Sequence, residues 1–172
     1  MNVFFTYLIV GLLASSPIEE KKLTQTISGT ITTSGIYCGG VAPSEEMLQN
    51  AQAKRPMSGF MVYVKKGTEN KLMSSIVDSA RTDSNGNYSF DLKPGEYVLL
   101  QKEQLNEDVY KTYEASKWIQ ADTDCMKLWW KKGLSTITVE NEHIDGLDFH
   151  FQKRCFVPLG IPCLRYSGPY PP

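Results

Sequence analysis

The chain has 172 residues, a length that fits one domain and buries roughly two-thirds of the surface that the unfolded chain exposes. Its 18 basic and 19 acidic side chains nearly cancel, so the charge balance gives no reason to expect a nucleic acid or an anionic membrane as a partner. The apolar and charged fractions are ordinary, which excludes wholesale disorder.

An apolar run from Val3 to Ala14 lies near the start of the chain. It is shorter than the roughly 20 residues that a membrane-spanning helix needs, and small residues follow it. The run predicts a secretory signal peptide over residues 1–16, hence a periplasmic, cell-surface or secreted protein without a stable membrane span. Because no basic side chain precedes the run, an uncleaved anchor or a misassigned start is the alternative.

The sequence contains four cysteines: Cys38, Cys125, Cys155 and Cys163. An even count in an exported chain favours disulfides, and three pairings are possible. A local Cys155–Cys163 bridge is plausible because prolines and a glycine bend the intervening loop, and it leaves Cys38 with Cys125. A zinc site is the alternative, but no Cys-x-x-Cys pair is present and histidine is scarce. We therefore expect no metal and no other cofactor.

Alternating apolar and polar residues predict an all-β domain over residues 23–154. The first strand, Leu23–Ser34, is rich in β-branched residues and places Ile27 and Ile31 on one face. Six further strands are predicted at Phe60–Val64, Leu72–Ala80, Tyr88–Leu92, Tyr97–Leu100, Ser135–Val139 and Leu147–Phe151. Between two of them, Asp83–Asn87 predicts a tight turn. The pattern is typical of an antiparallel β-sandwich of about seven strands.

Two insertions, residues 38–56 and 103–133, interrupt the predicted sheet. The first predicts a short helix over residues 43–53, with Ser44 as its N-terminal cap. The second predicts about two helical turns over Asp124–Lys132, at ~3.6 residues each. Residues 155–172 form a Pro- and Gly-rich tail that predicts little regular structure.

Several segments resemble the carboxypeptidase regulatory-like, or transthyretin-like, β-sandwich superfamily. The resemblance lies in Ile27–Ile31, Phe60–Val64, Thr82–Phe90 and Leu92–Leu99. It implies a prealbumin-like sandwich that serves as a folding or binding module without catalysis of its own.

A second likeness is narrower. The segments Tyr37–Pro43, Cys125–Trp130 and Cys155–Pro169 resemble a group of small exported proteins of Bacteroidetes-type bacteria. That resemblance implies an exported single-domain protein and brings no established activity with it.

Catalytic motifs of the transthyretin-like proteins are not matched. The tail at Arg165–Gly168 holds the letters of the Tyr-Arg-Gly-Ser signature of 5-hydroxyisourate hydrolases in another order, and the first strand lacks their His and Arg. Intradiol dioxygenases need two Tyr and two His on iron, whereas only His143 and His150 occur here. The turn at Asp83–Asn87 lacks the acid that completes an EF-hand loop. We expect a non-catalytic protein; a small enzyme or metal-binding protein that uses His150 is the alternative.

Aromatic side chains concentrate in the second insertion: Tyr110, Tyr113, Trp118, Trp129 and Trp130. They predict a surface that stacks on a sugar ring or contacts a protein at the cell envelope. The alternative is a lid whose aromatic side chains cover the open end of the sandwich. The lid is favoured because adjacent Trp129 and Trp130 on a short helix cannot both face one partner. We expect one of the two to enter the interior.

Overall fold

The structure, a computed structural model, describes residues 24–169, so the predicted signal peptide at residues 1–16 lies outside the described part. The strands there are β1 (Gln25–Gly35), β2 (Arg55–Pro56), β3 (Met61–Lys66), β4 (Ile76–Arg81), β5 (Asn87–Leu92), β6 (Gly95–Gln101), β7 (Ile119–Ala121), β8 (Ser135–Val139), β9 (Phe149–Lys153) and β10 (Leu164–Tyr166). The helices are α1 (Glu45–Gln52), α2 (Lys111–Glu114) and α3 (Thr123–Lys132), and Lys102–Leu105 form a 3₁₀ turn. Within this range, no helix has the length and apolar character needed to cross a membrane.

Two four-stranded sheets form the sandwich, which confirms the predicted all-β fold. One sheet has the order β4-β3-β6-β8 and is antiparallel throughout. In the other, β1 pairs antiparallel with β2 and β5 but parallel with β9. The parallel pair departs from the predicted antiparallel pattern. It is possible because more than a hundred residues separate the two strands, enough for the long connection that parallel pairing requires. Strands β7 and β10 form a separate antiparallel pair.

The interior of the sandwich comes from residues that alternate along the strands. Tyr88, Phe90 and Leu92 of β5 are buried, with exposed residues between them, as predicted. Ile27 and Ile31 of β1, the neighbouring strand of the same sheet, are fully buried, and so are Val62 and Val64 of β3 in the other sheet. The aromatic and branched side chains therefore close the two sheets over one core.

The residue types at the start of α1 and at the turn before β5 predicted both features correctly. Ser44 caps α1, and its hydroxyl accepts a hydrogen bond from the backbone N–H of Met47 at 3.2 Å. Asp83 holds the predicted turn, because its Oδ1 accepts from the backbone N–H groups of Asn85 and Asn87, both at 2.8 Å. Gly86 has φ 80°, a conformation that favours glycine.

The predicted third strand begins too early. β4 starts at Ile76 rather than at Leu72, because Leu72 and Met73 form a turn in which the Met73 side chain is 92% exposed. The backbone N–H of Ser74 donates to Lys71 O within this turn. Apolar residue type alone did not distinguish an exposed turn from a strand.

A buried polar network joins the sandwich to the second insertion. Lys65 is only 4% exposed, and its Nζ donates to Asn70 Oδ1 at 3.1 Å and to Lys71 O at 3.0 Å. Asn70 Nδ2 donates in turn to the backbone carbonyls of Gln104 and Trp130. Burial lowers the pKa of Lys65. The network fixes the loop after β3 against the start and end of the insertion.

Four cysteines form two disulfides, Cys38–Cys155 and Cys125–Cys163. The use of the cysteines as disulfides is confirmed, whereas the local Cys155–Cys163 pairing with Cys38–Cys125 is wrong. All four sulfur atoms are thereby used, which leaves no thiolate for the zinc site considered as an alternative.

Strand pairing explains the observed connectivity. Because β1 and β9 run parallel, their carboxyl ends meet, and Gly35 lies opposite Lys153. Cys38 and Cys155 follow these two residues closely in sequence. At the other bridge, Ala121 of β7 lies opposite Leu164 of β10, which brings Cys163 beside the start of α3. Both bridges therefore depend on contacts between segments that are far apart in sequence.

Candidate binding clefts

Helix α3 has clear start and stop signals. The side chain of Asp122 caps its first turn, with Oδ1 accepting from the backbone N–H of Cys125 at 2.9 Å. Gly133, at φ 69°, ends the helix, and Lys131 and Lys132 lie in its negatively polarised last turn. Because these signals set where α3 begins and ends, they determine which of its side chains point towards the interior.

The two adjacent tryptophans of α3 have different environments. Met126 and Trp130 are four residues apart on one helix face and are 1% and 8% exposed. Trp129 is only half-buried and packs against a second apolar cluster. That cluster consists of Val109, Met126, Val157, Ile161, Cys163 and Leu164. Trp130 is thus the tryptophan that enters the interior.

The five aromatic residues singled out in the sequence do not form one surface. Tyr110, Tyr113 and Trp129 pack against the second apolar cluster from its edge. Trp118 is 40% exposed, with Lys117 Nζ 4.6 Å from its ring centroid. Trp130 is buried, and Trp129 borders a cleft.

The first cleft, called here the tryptophan cleft, lies between α3, β9 and the tail. Its lining is Trp129, Gly133, Leu134, His150, Phe151, Gln152, Arg154, Gly160, Ile161 and Pro162. Its volume of about 460 Å³ is within the usual range for small-molecule sites. Trp129 and the apolar tail residues share this lining with polar residues of β9 and with Arg154. This combination suits a ligand with both an apolar face and polar edges.

The polar side of the tryptophan cleft is held by the sheet. His150 and Gln152 are both exposed, at alternate positions of β9, and His150 lies opposite Thr32 of β1. The two ring nitrogens of His150 lie 3.0 Å from Thr32 Oγ1 and 3.0 Å from Ser34 Oγ. The imidazole is therefore fixed against the outer face of β1. Among residues 24–169, no group of three or more His, Cys, Asp or Glu comes together to hold a metal.

Arg154 links the tail to the end of β9. Its Nη2 donates to the carbonyl oxygen of Ile161 at 2.6 Å, which closes the loop that the prolines bend. At Gly160, φ is 75° and a Cβ would overlap the buried side chain of Gln101, so glycine lets this loop lie against β6. The loop geometry thus fixes one wall of the tryptophan cleft.

A second cleft, called here the arginine cleft, adjoins the first. It has a volume of about 450 Å³ and is lined by Gln120, Ala121, Asp122, Cys125, Arg154, Pro162, Cys163, Leu164 and Arg165. Arg154 and Pro162 line both clefts. Arg154, Gln152 and Arg165 could not be recognised as cleft residues from the sequence, because single polar residues near a cysteine or on a short strand form no motif.

Comparison with known proteins yields remote structural similarity alone. No family model matches the chain, and no curated protein matches it. A minor pilin of Streptococcus agalactiae shares 12% identity at a TM-score of 0.35, with 81% of this chain and 48% of the pilin covered. A Pseudomonas aeruginosa protein of proposed carbohydrate-binding function shares 12% identity at a TM-score of 0.34, with 77% and 91% covered. (S)-allantoin synthase shares 10% identity at a TM-score of 0.28, with 84% and 46% covered. This chain spans about half the length of the pilin, and similarity at this level assigns no function.

Proposed function

We propose that this protein is an exported, non-catalytic binding module of the cell envelope, and that its ligand is a glycan held in the tryptophan cleft. Two disulfides support an extracytoplasmic location, because such bonds persist mainly in oxidising compartments. The observation that carries the ligand class is that Trp129, Gln152 and Arg154 line one cleft.

The chemistry of a sugar ring matches this arrangement. A pyranose has an apolar face of C–H groups and an equatorial edge of hydroxyl groups. The Trp129 ring offers a flat apolar surface with a large contact area. Gln152 and Arg154, which line the same cleft, offer hydrogen-bond donors and an acceptor. One sugar ring stacked on Trp129 would place its hydroxyl groups towards β9.

The cleft is also preorganised. His150 is held by two hydroxyl groups of β1, and Arg154 is held by the carbonyl oxygen of Ile161. Trp129 is on a capped helix that a disulfide joins to the tail. Side chains that are already ordered lose little conformational entropy when a ligand binds, which favours affinity.

A glycan array followed by isothermal titration calorimetry tests the proposal. Trp129→Ala should weaken the binding of any glycan hit by about tenfold or more, because it removes the stacking surface. Trp118→Ala is the matched control: it removes a tryptophan of the same insertion outside the cleft and should leave affinity unchanged.

Because Trp129 packs against the second apolar cluster, Gln152→Ala provides a second variant at an exposed position of the cleft. Circular dichroism verifies that each variant is folded. The proposal is wrong if no glycan binds, or if folded Trp129→Ala and Gln152→Ala proteins both keep the affinity of the parent.

A further inference from the structure

The two clefts adjoin at Arg154 and Pro162, which line both. We infer that the ligand is an acidic glycan, a chain of carboxylate-bearing sugars such as uronates, that extends from the tryptophan cleft across Arg154 into the arginine cleft. This inference rests on the proposed function and specifies its substrate class.

Uncompensated positive charge is the first argument. Both Arg154 and Arg165 line the arginine cleft, yet among residues 24–169 the ion pairs are Lys111–Asp108 and Lys131–Glu69. Neither arginine therefore has a carboxylate partner in the described part of the chain. A guanidinium binds carboxylates through paired N–H donors, which is the strongest and most specific contact that such a cleft can offer.

Donor capacity is the second argument. The side chain of Arg154 has five N–H donors, and the hydrogen bond to Ile161 O comes from its Nη2. This bond fixes the position of the guanidinium at the boundary of the two clefts. Because Arg154 lines both clefts, its remaining donors are available to a ligand that spans them.

The arginine cleft has one acidic side chain, Asp122, and its role is structural. Asp122 Oδ1 accepts from the backbone N–H of Cys125 as the cap of α3, so it is engaged with the positive end of that helix. Two arginines and one capping carboxylate leave the cleft net positive. A neutral glycan would gain nothing from this charge, whereas an acidic glycan would.

Cross-strand pairing places two lining residues of the arginine cleft side by side. Arg165 of β10 lies directly opposite Gln120 of β7, and both side chains are exposed. A cation and an amide side by side can bind a carboxylate and a neighbouring hydroxyl of the same sugar. The Cys125–Cys163 disulfide also lines this cleft and joins α3 to the tail.

A panel of oligouronates, each compared with its carboxyl-reduced counterpart, tests the inference by calorimetry on the full chain. We expect at least one oligouronate to bind about tenfold more tightly than its neutral counterpart, and its affinity to fall with added salt. Arg165→Gln should weaken the oligouronate about tenfold and leave the neutral counterpart unaffected. The control is Lys153→Gln, which removes the same charge at an exposed β9 position outside both clefts and should change neither affinity.

The outcomes separate the inference from the proposed function. Equal affinity for acidic and neutral oligomers, with Trp129→Ala weakening both, overturns the acidic ligand and keeps the glycan module. An unchanged oligouronate affinity in folded Arg165→Gln protein also overturns the inference. If neither the acidic nor the neutral oligomers bind, the proposed function fails and the inference fails with it.

Discussion

The backbone N–H of Asp122 donates to the carbonyl oxygen of Cys163 at 3.1 Å, so the residue that caps α3 also holds the tail. The same two segments are joined covalently by the Cys125–Cys163 disulfide. The start of α3 and strand β10, which both line the arginine cleft, are therefore held together by two connections. Loss of either connection should alter the clefts and lower the free energy of unfolding.

Removal of the Cys125–Cys163 bridge should loosen the second apolar cluster. The bridge closes a loop with a sequence separation of 38 residues, so the double variant Cys125→Ala/Cys163→Ala should lose roughly 3–4 kcal/mol of stability towards urea. Hydrogen exchange should show faster opening of α3 while the sandwich strands keep their protection. Peptide mapping of unreduced parent protein is the control, and a Cys155–Cys163 peptide would contradict the structure.

The capping role of Asp122 can be isolated from its charge. Asp122→Ala should destabilise the protein by about 1 kcal/mol, because the backbone N–H of Cys125 loses its acceptor. Asp122→Asn keeps an acceptor oxygen and should recover most of that loss. Urea unfolding of the three proteins measures the effect; equal stability of the Ala variant and the parent would show that the cap contributes nothing.

Local patterns in the sequence predicted most of the fold. The alternation Tyr88, Phe90, Leu92 identified β5, Ser44 identified the start of α1, and Gly86 identified a turn. Each of these signals depends on residues within a few positions of one another, and each reflects burial or backbone geometry that the segment carries with it.

The disulfide pairing and the clefts depend on contacts that local patterns do not contain. The parallel pairing of β1 with β9 brings Cys38 to Cys155, and the pairing of β7 with β10 places Arg165 beside Gln120. Strand alternation identifies the buried face of a strand but not its neighbour or direction. Of the predicted aromatic residues, Trp129 borders a cleft, whereas Trp130 is buried.

Buried Lys65 should make stability depend on alkaline pH. Burial lowers its pKa below the ordinary value of 10.5, so between the two values the unfolded chain binds more protons than the folded chain. The stability of the parent should therefore rise, relative to Lys65→Met, as pH increases through this window, and level off above it. Urea unfolding at a series of pH values measures the difference. Lys66→Met is the control, because it removes one cation at an exposed neighbouring position of β3. If the stability of Lys65→Met changed with pH in parallel with that of the parent, the prediction would be contradicted.

The contribution of Tyr88 to the free energy of unfolding should fall as pH rises, which is the opposite of the effect of Lys65. Its hydroxyl donates to Leu147 O at 2.6 Å, and burial, followed by the nearby Asp148 carboxylate, raises the pKa of Tyr88 above its ordinary 10.0. At neutral pH, Tyr88→Phe should lose about 1 kcal/mol, the contribution of one hydrogen bond. The raised pKa also means that the folded chain keeps a proton that the unfolded chain loses, so the contribution is complete below pH 10.0 and declines as pH rises further. The parent should therefore lose stability more steeply than Tyr88→Phe in that range.

The Tyr88 effect can be followed by urea unfolding and by tyrosinate absorbance of the folded protein. Tyr63→Phe, which removes a half-buried hydroxyl on β3, is the matched control and should leave the difference in slope intact. An equal loss of stability in the parent and in Tyr88→Phe at high pH would show that this phenol ionises as readily in the folded state as in the unfolded state. In that case the hydrogen bond to Leu147 would not close β5 against the segment before β9, and the packing of Tyr88 on Phe149 would have to hold that side of the sandwich alone.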